Sequence, residues 1–162
     1  MLLAADAVRP SVATIVAGEP VRGSWWAHPK SHAIFAAITA LSRHPDVIAV
    51  PLVANKVTFV HRALWPALLA IALEPDRLRT RGLSPGARAL LRRVRRAGAL
   101  EASGDAVREL ERRLLVRSAE VHTARGSHGK IVEDWTRWAA REGVAPLADV
   151  ADARAIIARA SG

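Results

Sequence analysis

The stretch from Leu83 to Val132 constrains the fold most, because the spacing of its apolar residues changes along the chain. Ser84 before Pro85 is a helix start: a serine hydroxyl satisfies free N–H groups, and proline suits the first helical position, where its missing N–H has no partner to lose. Ala87, Leu90, Leu91 and Val94 then recur at helical spacing, and Gly98 stops the helix. Leu100 leads to Ser103-Gly104-Asp105, read as the cap of a second helix over about Asp105 to Leu114, with Val107, Leu110 and Leu114 as its stripe. Leu115 to Thr123 and Gly129 to Val132 are β-rich runs flanking a loop, Ala124 to His128. Helix, turn, helix, strand, tip, strand is the expected order, which implies an α+β fold.

Upstream, residues 1–22 read as a lead-in with a helix near Ser11 to Ala17, ended by Gly18 and Pro20. Trp25 and Trp26 precede His28-Pro29 in a loop, and a helix of about ten residues follows from Pro29 or Ser31, with Ile34, Phe35, Ile38 and Leu41 on one face. Val47 to Val53 and Val57 to His61 form a hairpin around Ala54-Asn55-Lys56, with Asn55 suited to a left-handed turn and Pro51 confining its strand to an edge. A further helix over about Ala63 to Ala72 places Leu64, Leu68 and Ile71 on one side and ends at Glu74-Pro75. The expected organisation is a small helix–hairpin–helix α+β unit over residues 1–76, a second unit over 77–143, and a C-terminal helix or tail over 144–162. Trp65, Trp135 and Trp138 are expected in the core.

The chain has no cysteine, which removes disulfides, thiolate zinc, iron–sulfur clusters and a cysteine nucleophile, and suits a reducing compartment. Asp6, Arg9 and Pro10 interrupt the apolar N-terminal stretch, and Ala63 to Leu73 is too short to span a bilayer, so a cytoplasmic protein with no membrane partner is expected. Net charge is +9, and twelve arginines against Glu101, Asp105, Glu109 and Glu111 give the segment 77–117 a charge of +8. A local field of this kind suits a polyanion, whose neutralised phosphates release counterions. An arginine-rich solvated face with a protein partner or none, and an anionic membrane surface, are the alternatives. Walker and dinucleotide motifs and a nucleophile elbow are absent, so no catalytic residue and no cofactor are expected.

Leu83-Ser-Pro-Gly-Ala-Arg-Ala-Leu-Leu-Arg-Arg-Val-Arg-Arg-Ala-Gly-Ala-Leu100, with Val107-Arg-Glu-Leu-Glu-Arg-Arg-Leu-Leu-Val-Arg-Ser118, resembles the winged-helix superfamily over residues 83–135, about a third of the chain. The resemblance implies a winged-helix domain preceded by the small α+β unit, with a third helix drawn from about Glu133 to Glu142. It implies a nucleic-acid partner, with duplex DNA the favoured one and RNA left open, in transcription control or repair support. A homodimer and a purely protein-binding winged helix stay open. The first half resembles no family of known function. The winged helices of alkylpurine-type DNA glycosylases are a looser comparison, and their glutamine-containing motif has no counterpart in this glutamine-free chain.

Within the resemblance the recognition helix offers Arg108, Arg112 and Arg113 to a major groove, and Arg125 and Lys130 sit at the wing for phosphate or minor-groove contact. Arg88, Arg92, Arg93, Arg95, Arg96 and Arg117 complete the expected nucleic-acid-binding set. Surface ion pairs of Arg108, Arg112 and Arg113 with Glu101, Glu109 and Glu111 are the competing reading. Trp25 and Trp26 are candidates for base stacking. Glu120, His122 and His128 around the wing carry zinc-compatible or acid–base chemistry, against which stands a role as hydrated strand residues. His28 and His32, four apart, are metal-compatible on a helix, but Pro29 favours a capping role for His28. If Glu120, His122 and His128, or His28 with Trp25, form a site, the rival function is a nucleic-acid-processing enzyme such as a nuclease or a base-removing, glycosylase-like protein.

Overall fold

The computed structural model describes residues 2–4, 11–75, 77–122 and 128–161, and the chain divides into two units, Met1–Trp65 with Arg154–Gly162, and Pro66–Ala153. It is an α+β protein. The first unit contains β1 (Leu2–Ala4), α1 (Val12–Ala17), α2 (Ser31–Arg43), β2 (Val47–Val53) and β3 (Lys56–His61). Ser11 caps α1 by accepting a hydrogen bond from the Thr14 amide at 3.1 Å, and Gly18 ends it in the left-handed conformation. Ala54 and Asn55 both have positive φ, the geometry of the tight hairpin turn whose twist matches its strands. The antiparallel sheet runs β1-β3-β2, so Pro51 does lie on an edge strand.

Two expectations for this unit are corrected. The lead-in contains a strand: β1 pairs with β3, Leu2 opposite Val60, and three residues are too few to show alternation in a sequence. Phe35 does not join the inner face of α2. Ile34 is buried against Ala13 and Trp25, with Ile38 packed beside it, and this narrow stripe leaves Phe35, a 100° step round the helix, half exposed.

α3 (Trp65–Leu73) was expected to bury one side, yet Ala67, Leu68, Leu69, Ala70 and Ala72 are all buried. Its sequence, Trp-Pro-Ala-Leu-Leu-Ala-Ile-Ala-Leu, has no polar face to turn towards water. α4 (Arg77–Thr80), α5 (Pro85–Ala97), β4 (Ala99–Glu101), α6 (Asp105–Arg112), β5 (Arg117–His122), β6 (His128–Glu133), α7 (Trp135–Glu142) and α8 (Val150–Ser161) follow. Ser84 caps α5 and Pro85 opens it, as expected. The core joins Ala87, Leu90, Leu91 and Val94 of α5 to Val107 and Leu110 of α6 and to Val116 and Val132 at the sheet. The sheet order is β4-β6-β5, all antiparallel, an arrangement compatible with a winged helix. β4 was not foreseen, again for its length.

α6 starts where expected, at Asp105, with Gly104 of the Ser103-Gly104-Asp105 turn in the cap position and no side-chain hydrogen bond there. Its end differs, since α6 stops at Arg112 and Leu114 takes a left-handed conformation (φ 51°) before the chain enters β5. That conformation costs a leucine about 1–2 kcal/mol, and it is held while Leu115 and Val116 enter the core.

Glu109 links the start of α5 to α6, and Asp105 pairs within α6. Hydrogen bonds from Ser84 hold the Glu109 carboxyl below its usual range, and the hydrogen bond and then the charge of Arg108 do the same for Asp105. Depressed carboxyl values stabilise the fold above the ordinary range, and that stabilisation is lost as the pH falls below about 4. We expect thermal stability to drop between about pH 5 and 3, with part of the drop removed in Glu109→Gln, as read from melting temperature against pH.

Candidate nucleic-acid interface

The helix that carries the basic charge is α5, which holds no acidic residue. Because Ala87, Leu90, Leu91 and Val94 fix its inner face, Arg88, Arg92, Arg93, Arg95 and Arg96 must share the outer arc, about 160° wide at 100° per residue. All five are exposed. Arg88 also donates to the Leu83 carbonyl at 3.1 Å, whereas Arg92, Arg93, Arg95 and Arg96 make no hydrogen bond or ion pair among the described residues. From Arg88 to Arg96 the row spans about 12 Å, long enough to meet several phosphates of a duplex, which carries one negative charge per about 1.7 Å of its axis. Arg95 and Arg96 also face the negative end of the helix dipole, which stabilises them where they stand.

α6 contributes less than its sequence suggests. Arg108 pairs with Asp105, and Arg112 Nε donates to the Arg108 carbonyl at 3.2 Å, but both stay exposed. Arg113 is half-buried and tied to the Arg79 and Arg81 carbonyls at 3.0 and 2.7 Å, with Glu109 at 3.5 Å. It fastens α6 to the segment before α5 instead of facing a partner. Lys130 lies 3.0 Å from Glu111, which also accepts from Ser118. Arg125 lies outside the described residues.

Arg117 departs furthest from the expected surface set. The sheet register places it opposite Glu133, whose side chain is 5% exposed, with 3.7 Å between the charged atoms. Successive strand residues face opposite sides, so while Val132 enters the α5–α6 core, Glu133 and Arg117 face the other side. There Arg137 approaches Glu133 at 3.9 Å, Arg141 pairs with it directly, and the Arg117 guanidinium lies 5.8 Å from the centre of the Trp138 ring. Burial pushes the Arg117 pKa down and the charge of Glu133 opposes that shift.

Arg137 was missed because it lies outside the basic segment 77–117. Its guanidinium donates to the Ala97 carbonyl at 3.3 Å, and its Cδ comes within 2.8 Å of where a Cβ on Gly98 would stand. Gly98, at φ 76°, thus ends α5 and also leaves room for Arg137, an exposed residue that extends the basic row past the end of α5.

In the first unit the stacking candidates separate. Trp25 is buried (9% exposed) and Trp26 lies on it, ring centres 4.0 Å apart, while remaining 63% exposed. Phe35, which sequence reasoning assigned to the core, flanks Trp26 at 5.6 Å and is 50% exposed. His28 is a turn-capping residue: its Nδ1 accepts from the Lys30 amide at 3.1 Å, a pattern that His44 and His61 repeat with Asp46 and Ala63. His32 is exposed. Trp65, Trp135 and Trp138 are core residues.

Glu120 is exposed, opposite Lys130 in the register, and the side chains of His122 and His128 lie outside what the structure describes. Among the described residues no three metal-ligating side chains come together, and no helix is long and apolar enough to cross a membrane. No protein-family model matches the chain, and neither a curated protein nor a solved structure matches it.

Proposed function

We propose that the second unit is an arginine-rich winged helix that binds duplex DNA through its phosphates, in the setting of transcription control or repair support in the cytoplasm. One observation carries this reading: α5 turns five exposed arginines and no acid to solvent, four of them without partners among the described residues. The order of elements and the β4-β6-β5 sheet support the family reading, and the cysteine-free composition suits the compartment. Contact falls on α5, with Arg137 beyond its end and Arg108 and Arg112 of α6 as additions. Phosphate contacts carry no sequence information, so binding is expected to vary little with base sequence.

The test is fluorescence anisotropy of a labelled duplex across a salt series. Four phosphate contacts predict a loss of affinity on the order of 100-fold between 50 and 200 mM salt. Arg92→Ala/Arg96→Ala should weaken binding and make the log–log salt slope shallower by about 2. A duplex affinity that is indifferent to both salt and this double substitution sinks the reading.

A further inference from the structure

We infer that Trp26 and Phe35 form a stacking platform for an unpaired base of single-stranded nucleic acid, a second contact that shares with the proposed function only the premise of a nucleic-acid partner. Four of the five tryptophans, Trp25, Trp65, Trp135 and Trp138, are buried; Trp26 is not. It is nevertheless held in place. Trp25, packed with Ala13 and Ile34 in the first unit's core, supports one face of the Trp26 indole with the planes 24° apart, and Phe35 borders it. With one face supported by Trp25 and 63% of Trp26 exposed, much of the indole stays open to solvent on a fixed, flat ring, which is the surface a nucleobase stacks on and a duplex, with its bases already stacked, cannot use.

The surrounding charge selects the occupant. No acid occurs between Glu19 and Asp46, a stretch that holds Arg22, Lys30, Arg43, His28, His32 and His44. Lys30 is engaged with the Ala17 carbonyl at 2.9 Å and His28 lies near Glu19, but Arg22 and His32 are exposed and have no partner among the described residues. His32 stands three residues before Phe35 and so shares its side of α2. Exposed aromatic rings on a basic segment, with Glu19 engaged by His28, complement a chain that carries both flat bases and phosphates. An apolar protein surface would meet only half of these features.

The experiment titrates the full chain with an oligothymidylate of about twelve nucleotides and, separately, with a blunt duplex, reading tryptophan fluorescence and anisotropy. The single strand should quench fluorescence saturably. Trp26→Ala should abolish that quenching and weaken single-strand binding about 10-fold, at an unchanged melting temperature and duplex affinity. Trp26→Phe should retain most of the affinity without the quenching. Single-strand binding that leaves fluorescence unchanged, an affinity unaffected in Trp26→Ala, or no single-strand binding at all would overturn the inference. So would sedimentation showing that Trp26→Ala turns a dimer into a monomer while single-strand affinity is unchanged, since the patch would then join two copies. Loss of duplex binding with quenching intact would sink the reading of the second unit alone.

Discussion

Glu133→Gln is expected to destabilise the protein by about 3–5 kcal/mol, the cost of leaving a buried charge without its partner. Glutamine keeps the shape of the side chain, so the loss is electrostatic and not a packing defect. Arg117 is the residue left exposed to that cost: its side chain is 16% accessible, and its Nε already has no hydrogen-bond acceptor among the described residues. Arg137 and Arg141, both largely solvated, can turn to water when the carboxylate is gone. The check is a denaturant titration that also includes Glu133→Gln/Arg117→Met, which should regain most of the loss because neither charge then remains. A single-variant loss below about 1 kcal/mol would show that water reaches Arg117 and that the pair behaves as a surface one.

Trp138→Ala should cost a comparable amount, about 3–5 kcal/mol, by opening a cavity the size of an indole. Trp138 is fully buried, meets Trp135 edge to face at 5.4 Å, and lies beneath the Arg117 guanidinium. Its removal therefore withdraws packing from α7 and admits water to the charged cluster at the same time. Because Trp138 and Glu133 both act on Arg117, the two substitutions should not add: once the indole is gone and Arg117 is hydrated, Glu133→Gln should cost less. A double-mutant cycle in the same denaturant series measures that coupling, and strict additivity would mean that the ring and the carboxylate act on Arg117 independently.

Much of the second unit was legible because its signals are local. Ser84, Pro85 and Gly98 act within one turn of helix, and the apolar spacing between them already names the buried face of α5. What remained hidden depends on partners far away in sequence. Arg96 and Arg113 look alike as letters, but one finds no acceptor among the described residues while the other meets two carbonyls more than thirty positions upstream. Arg117 was counted with the surface because nothing in its neighbourhood announces Glu133 across the sheet. β1 and β4 are three residues each, shorter than the period that reveals a strand. Phe35 sits at an apolar position of a helix whose inner stripe is narrower than the pattern allows, which only the packing of Ile34 on Trp25 decides. Phe35, which flanks the exposed Trp26, was thus a residue that sequence reasoning placed in the core.

The left-handed Leu114 bears on how this segment can change in length. Val116 faces the core and Arg117 faces Glu133, an assignment fixed by counting residues from that turn. Gaining or losing one residue between Leu114 and Arg117 would turn the Arg117 guanidinium to the apolar side of the sheet and set Val116, on a gain, or Ser118, on a loss, before the buried carboxylate. A change of two restores the alternation, so lineages carrying this fold should lengthen or shorten here in even steps.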